Sequence, residues 1–389
     1  MKISAFAIFF TVVFVVYFLV NLYIYRHGLL ALPKGTPFRV IFSWGFWIIA
    51  ISFPLGRIIE RMWISPVTDT IIWAGSFWLA AMLYLFIACI TIDILRLTNL
   101  IYPWITNLVD THGSTFRLWS LVGVIGTVFL IVLAGHINAV TMRISHHALN
   151  IAKDAGSIKK LRIVAVSDIH MGTIIAKHRV SKLVHMVNEQ QPDIVLLAGD
   201  IVDEDLAPVI RRNLGKSLEQ IKSRLGTYAI TGNHEYIGGA DAAVRYLQQH
   251  GVKVLRDSVV LIDDAFYVAG RDDRDSRRFE HQNRMEVSQL LSSTDKHKPI
   301  ILLDHQPYNL DSAANAGVDL QVSGHTHHGQ LWPLSYITQG IFELSSGYLR
   351  KGNTHFIVSN GYGSWGPPVR LGNRPEILVI DLTFETALK

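Results

Sequence analysis

The chain is 389 residues long, half of them hydrophobic and only 17% charged; a typical soluble domain carries about 25% charge, so a wholly soluble globule is excluded. Its formal charge of +5 invites an anionic partner, but residues 1–150 hold nine basic and four acidic side chains while the remaining 239 hold 27 of each, so no long nucleic-acid track is expected. The single cysteine, Cys89, lies in an apolar run, which excludes an intrachain disulfide, a cysteine-held zinc cluster and a catalytic thiol in the second half.

Residues 3–25 carry no charge over 23 positions, enough for a helix to cross a hydrocarbon core of about 30 Å. The length of the run and its thin basic flank fit an anchor better than a cleaved signal. Residues 40–55 form a shorter span with Arg39 and Arg57 placed to snorkel at its ends, 70–92 a third stopped by Asp93, and 118–139 a fourth. Between the last two, residues 97–110 are apolar but broken by Asn99, Pro103 and Asn107, which predicts an interfacial or re-entrant piece. Seven of the nine tryptophans lie in this half, several near span ends. No intramembrane acid or broken inverted repeat points to transport, so residues 1–141 read as an anchor of about four transmembrane helices in a lipid bilayer. With both termini inside, Lys2, Arg57, Arg61, Arg143, Lys153, Lys159, Lys160 and Arg162 face Arg26, Lys34, Arg39, Arg96 and Arg117, a bias that places the second half on the cytoplasmic side. Residues 142–160 are expected to be an amphipathic linker: Ile144, Ala148, Ile151 and Ala152 share a helical face, leaving open a short interfacial helix or a plain solvated connection.

From residue 161 to 389 the pattern becomes α/β. Buried strands are predicted at 161–167, 193–199, 227–231, 299–305 and 318–324, further strands at 252–256, 265–270, 355–360 and 376–382, and helices at 177–190, around 209–223 and at 242–249. Each of the first five strands runs into potential ligands: Asp168 and His170, Asp200, Asn233 with His234 and Glu235, His305, and His325 with His327. In open α/β sheets ligands bind at the carboxyl ends of strands, and rigid strand ends suit the inner shell of a metal site. Three oxygen donors (Asp168, Asp200, Asn233) and four imidazoles (His170, His305, His325, His327) exceed one tetrahedral zinc and suit two adjacent ions with a shared carboxylate. Without thiolates, Mn²⁺, Fe or Zn²⁺ are the expected ions. A pair about 3.5 to 4 Å apart clamps phosphoryl oxygens and activates water for in-line attack, which predicts phosphoester hydrolysis.

DIH at 168–170, GD at 199–200, GNHE at 232–235, His305 and GHTH at 324–327 together resemble the signature of the calcineurin-like metallophosphoesterase superfamily. The resemblance implies an α/β fold, an αββα-sandwich metallophosphoesterase domain, here preceded by the N-terminal transmembrane helical region. It implies one metal held by Asp168, His170, Asp200 and His327, a second by Asp200, Asn233, His305 and His325, catalysis by His234 as acid toward the leaving oxygen, and a supporting role for Glu235. GHTHHGQ at 324–330 and the Gly- and Pro-rich tail at 360–377 are similar to a membrane-linked bacterial branch, implying a bacterial inner membrane and, by a distant similarity to UDP-2,3-diacylglucosamine pyrophosphatases, a phosphorylated lipid or nucleotide-lipid substrate. His328 and Arg370 are then possible substrate contacts, with solvent exposure and a structural ion pair as the respective alternatives. The hydrophobic insertion at 331–350 either meets acyl chains or packs the second sheet, and the arginines at 271–278, compensated by Asp272, Asp273 and Asp275, read as a solvated loop before an anion site. A soluble nucleotide or cyclic-nucleotide phosphodiesterase and an inactive membrane scaffold are the competing functions; a broken ligand set would mark the scaffold, and the set is intact.

Overall fold

The computed structural model describes residues 3–106 and 113–385. The chain divides into two units, Met1–Ile137 with Gly366–Val369, and Asn138–Trp365 with Arg370–Lys389. Four helices run through the N-terminal region: α1 (Ile3–Ala31), α2 (Pro37–Met62), α3 (Pro66–Ile101) and α4 (Ser114–Val140). Among the described residues these four are long and apolar enough to cross a membrane, and the chain is an integral membrane protein. Each extends beyond the apolar run read from the sequence, since a helical backbone satisfies its own N–H and C=O groups whatever side chains follow the run. α3 continues through Leu97–Ile101, where an interfacial piece was expected; Asn99 Oδ1 then accepts from the Ile105 and Thr106 amides, and residues 107–110 of that expectation lie outside the described residues.

Small residues allow α2 and α3 to approach closely, since a Cβ on Gly75 would collide with the Phe53 backbone and one on Gly56 would press on Ile72. α1 is keyed to α3 by a buried amide: Asn21 accepts from Trp78 Nε1 at 3.0 Å and donates to the Tyr17 carbonyl at 2.8 Å. Such bonding removes the cost of a polar group among apolar helices.

The second unit contains two six-stranded sheets. The strands are β1 (Arg143–Ile151), β2 (Lys160–Val166), β3 (Ile194–Ala198), β4 (Thr227–Ile230), β5 (Lys253–Leu255), β6 (Ser258–Ile262), β7 (Phe266–Gly270), β8 (Ile300–Leu303), β9 (Leu320–Ser323), β10 (Gly347–Lys351), β11 (Thr354–Val358) and β12 (Glu376–Phe384). Their order is β1-β12-β2-β3-β4-β5 in one sheet and β10-β11-β9-β8-β7-β6 in the other. Alternation sends Ile163, Ala165, Leu196, Ala198, Leu378 and Ile380 from the first sheet and Val268, Ile301, Leu303, Val322 and Ile357 from the second into one shared core. The opposite face of the second sheet, with Ala269, Ile300, Leu302 and Phe356, is covered by Val287, Leu290, Leu310 and Ala313 of two short helices. Helix α5 (Lys177–Glu189) follows β2 and buries Val180, Leu183, Val184 and Val187, completing the αββα arrangement.

The linker expected at 142–160 is corrected here. Arg143–Ile151 is a strand, paired in parallel with β12 from Arg143↔Glu376 to Ile151↔Phe384. The helical reading left Leu149 on the polar side; extended, Leu149 and Ile151 both enter the sandwich core, and the pairing satisfies a β12 edge that would otherwise be open.

Candidate dimetal site

β2, β3 and β4 are parallel neighbours in one sheet and β8 and β9 in the other, so their carboxyl ends emerge side by side. Immediately beyond them Asp168, His170, Asp200, His325, His327 and His328 all have φ between 44° and 70°. Left-handed backbone is unfavourable for side-chain-bearing residues, though Asp, Asn and His tolerate it better than most, and it concentrates at functional sites. Here it bends the β2, β3 and β9 exits so that their side chains converge with those beyond β4 and β8. Room comes from glycine: at Gly199, with φ +88°, a Cβ would stand 2.6 Å from His305 Nδ1, and at Gly324 it would run into the Asp168 carboxylate.

The converging groups form three clusters whose ligand atoms lie within 4.8 Å of one another: Asp168, His170 and His327; Asp200, His305 and His325; and His170, Asp203 and His234. In the first, His170 Nε2 faces His327 Nε2 at 3.0 Å and His327 Nε2 stands 3.5 Å from Asp168 Oδ1. In the second, His305 Nε2 approaches Asp200 Oδ2 at 3.1 Å, while Asn233 Oδ1 lies 2.8 Å from His325 Nδ1. Asp200 also stands 3.9 Å from His170 Nε2, between the two groups. All seven ligands expected from the sequence are thus brought together.

These groups fit divalent ions. His305 Nδ1 is bonded to the Ala198 carbonyl at 2.8 Å, which orients the ring and turns its buried Nε2 onto the Asp200 carboxylate, while His170 Nδ1 is buried with no hydrogen-bond partner. A ring fixed through one nitrogen with its other aimed into a carboxylate-lined space is the usual arrangement of a metal-ligating histidine. Burial, with the charge of His305 nearby, pushes His325 down to about 3; burial and the Arg370 guanidinium hold His327 well below the ordinary histidine range, so both keep lone pairs free. Asp200 is buried, which alone would raise its pKa, but His305, His234 and His170 hold it well below the carboxylate range. Burial and the Asp200 charge instead raise Asp168. A cation at the site would balance this excess of carboxylate and imidazole donors.

His234 heads the short helix Asn233–Gly238 and its amide donates to Asp200 Oδ1 at 2.9 Å. Its Nδ1 lies 3.3 Å from Asp203 Oδ1. Burial would depress this imidazole, but Asp200, Asp203 and Glu204 override that and carry it up to about 9. Asp203 is absent from the set read in the sequence because Asp203, Glu204 and Asp205 look like a solvated acidic run. The available signal was its position three residues after Asp200 at the same strand exit, where its amide bonds to the Met171 carbonyl at 3.0 Å and draws it against the β2 exit loop.

Glu235 binds backbone. Its carboxylate accepts from the amides of Asp200 (3.1 Å), Ile201 (2.7 Å), Val202 (2.8 Å) and Gly232 (2.7 Å), tying the β3 and β4 exits together. Arg370 is fully buried, and its donors go to the Asn360 carbonyl (2.7 Å), the Gly363 carbonyl (2.6 Å), Asn373 Oδ1 (2.9 Å) and His327 Nδ1 (3.0 Å). It therefore braces the tail loop and a ligand ring, which corrects the expectation of a substrate contact: the inward turn of this loop leaves the guanidinium no open face. His328 is partly buried with Nδ1 3.0 Å from Ser345 Oγ. In the arginine-rich insertion Arg274, Arg277 and Arg278 are exposed, as expected of a solvated loop, but its start is not. Arg271, Asp272 and Asp273 are buried; Arg271 and Arg284 pair with Asp304 at 3.1 and 2.8 Å, and Arg256 joins Asp272, Asp241 and Glu280.

Residues 161–329 match the family described as calcineurin-like phosphoesterase. The chain is 32% identical over 260 residues to a metallophosphoesterase of Aquifex aeolicus, a match covering 65% of this chain and 98% of that protein. It is 34% identical over 237 residues to a transmembrane protein with metallophosphoesterase domain from Danio rerio, covering 58% of this chain and 54% of that one, so the match spans about half the length of that relative. A Campylobacter jejuni metallophosphoesterase is 27% identical over 392 residues, with 97% of this chain and 98% of that protein covered. The chain belongs to the calcineurin-like metallophosphoesterase family. It is a metal-dependent hydrolase whose His and Asp clusters make up a dimetal active site, carried by a membrane-spanning chain.

Proposed function

We propose that this site hydrolyses a phosphodiester or pyrophosphate bond in a membrane lipid or lipid-linked nucleotide. The observation that carries the reading is the pair of clusters flanking Asp200 in a chain that also has four membrane-spanning helices. One ion is assigned to Asp168, His170, Asp200 and His327 and the other to Asp200, Asn233, His305 and His325; mixed nitrogen and oxygen donors suit Mn²⁺, Fe or Zn²⁺. The two ions, when bound, neutralise phosphoryl charge and activate water for in-line attack. The protein's own part is positioning and proton transfer. His234, protonated near neutral pH and steadied by Asp203, donates to the leaving oxygen. Trp365 sets its ring edge-on to that of His234, with the centroids 6.2 Å apart. Glu235 and Arg370 hold the ligand loops. The basic-residue bias supports a cytoplasmic catalytic domain at a bacterial inner membrane, and the GHTHHGQ motif supports a nucleotide-lipid pyrophosphate as the first substrate to try.

Two experiments test this. Detergent-purified protein stripped of divalent ions should lose hydrolysis of a chromogenic phosphodiester and regain it with Mn²⁺, Fe²⁺ or Zn²⁺; no recovery with any of them would overturn the assignment. Incubation with a total lipid extract should release a phosphorylated product, a nucleoside monophosphate if the substrate is a nucleotide-lipid pyrophosphate. Activity confined to water-soluble esters would reject the lipid.

A further inference from the structure

Beside the metal ligands lies a band of large apolar side chains that the chemistry above does not use. Trp332, Tyr336, Ile337, Ile341 and Trp365 are between 50% and 65% exposed. Three of them, Tyr336, Ile337 and Ile341, lie on a short helix, Ser335–Ile341, where Ile337 and Ile341 are four residues apart and share a face, and Trp332 lies in the turn just before it. This helix is seated on the ligand turn His327–Gly329: at Gly329, with φ +73°, a Cβ would meet the Leu334 carbonyl carbon at 2.5 Å. Just beyond its other end Phe342 places its ring 6.0 Å from that of His325. Trp365 joins the band from the tail loop, held by a reciprocal pair in which the Gln330 amide donates to the Trp365 carbonyl at 3.0 Å and Trp365 N donates to Gln330 Oε1 at 2.9 Å. An apolar rim is thereby fixed to both groups of metal ligands and to the ring of His234.

Exposed apolar surface of this kind, next to a site, marks a binding surface. Its chemistry narrows the occupant. Residues 331–349 contain a single charged side chain, Glu343, so nothing there selects a charged peptide or a polyanion. The rim adjoins the place where the phosphoester must lie, and the four spans keep the chain at a bilayer. Trp and Tyr are the side chains that favour the boundary between acyl chains and water.

We propose that Trp332, Tyr336, Ile337, Ile341 and Trp365 form a subsite for an acyl chain of the phosphoester being hydrolysed, a reading that rests on the lipid substrate proposed above. The chain lies along the rim while the phosphate sits among the metal ligands.

The test uses the full-length protein in a fixed excess of nonionic detergent with p-nitrophenyl alkyl phosphates from methyl to dodecyl. kcat/KM should rise by up to about 4-fold per added methylene until the rim is covered. In Ile337→Asp the dodecyl-to-methyl ratio should fall at least tenfold, and in Ile337→Leu it should return to the wild-type value; partition into micelles is common to all three proteins and cancels. Binding of dodecylphosphonate relative to methylphosphonate, followed by calorimetry, should change in parallel and reports the subsite without turnover. Equal ratios in wild type and Ile337→Asp would overturn the subsite while leaving the phosphoesterase assignment standing. Failure of the wild-type protein to cleave any member of the series with any divalent ion would overturn both.

Discussion

Asp200 has three duties at one strand exit: it stands beside His305 and His170, lies between the two groups of ligands, and accepts the His234 amide. Asp200→Asn should therefore lower the content of both metals, measured by elemental analysis, and not of one alone. His234→Ala should keep both ions yet reduce kcat by about 100- to 10,000-fold, the range for loss of a positioned acid. Asp203 faces His234 Nδ1 and, at 3.7 Å, His170 Nδ1; Asp203→Asn should cost about 10- to 100-fold in activity, as for other outer partners of metal-site histidines. Asp273 gives a test unconnected with turnover. Burial raises this carboxyl to about 7, while both its oxygens accept from Gln306 Nε2. In the unfolded chain it releases its proton near pH 4, so between about pH 4 and 7 the folded state holds more protons and stability falls as pH rises. The contribution is complete below pH 4 and lost above 7. Melting curves in detergent should show this decline in wild type and a flatter profile in Asp273→Asn, which resembles the protonated form; an identical pH profile in the two proteins would contradict the assignment.

The site is built from exits, and the Glu235 carboxylate joins two of them through four amides. Glu235→Gln replaces one accepting oxygen by a donor facing N–H groups. It should destabilise the domain by about 2 to 4 kcal/mol, the cost of losing charge-assisted bonds in a buried setting, and weaken metal retention as well. Thermal melting with and without chelator measures both. At this scale the sequence was most informative where motif residues directly followed short apolar strands, as with Asp168 after β2 and His305 after β8, because strand and ligand are adjacent in the chain. It was least informative where the partner is distant. Arg143–Ile151 has apolar spacing compatible with a helix, and only the edge of β12, over 230 residues away, decides for a strand. Arg271 and Asp273 looked solvated because Asp304 and Gln306, which neutralise or bond them, come from another strand exit. For Arg370 the sequence leaves a substrate contact and a structural ion pair open, since the carbonyls that hold it belong to a loop whose path no local pattern encodes.

For the whole molecule, the charge balance separates the two halves by role. Positive charge gathers in the membrane half, where basic residues in loops fix orientation, and the catalytic half is neutral. In inside-out vesicles, added trypsin should release the catalytic domain if it faces the cytoplasm; protection there, with cleavage in right-side-out vesicles, would reverse the proposed topology. The left-handed exits carry a further consequence. Six side-chain-bearing residues hold this geometry through backbone bonds, close glycine contacts and the Glu235 carboxylate, all supplied by the polypeptide. Ligand placement is thus built into the strand exits themselves, with the backbone setting where each donor stands. Mixed nitrogen and oxygen donors are open to several first-row divalent ions, among which availability helps decide. Which metals the protein carries would then follow the supply in its compartment, and a change in that supply would retune the enzyme with no change in its sequence.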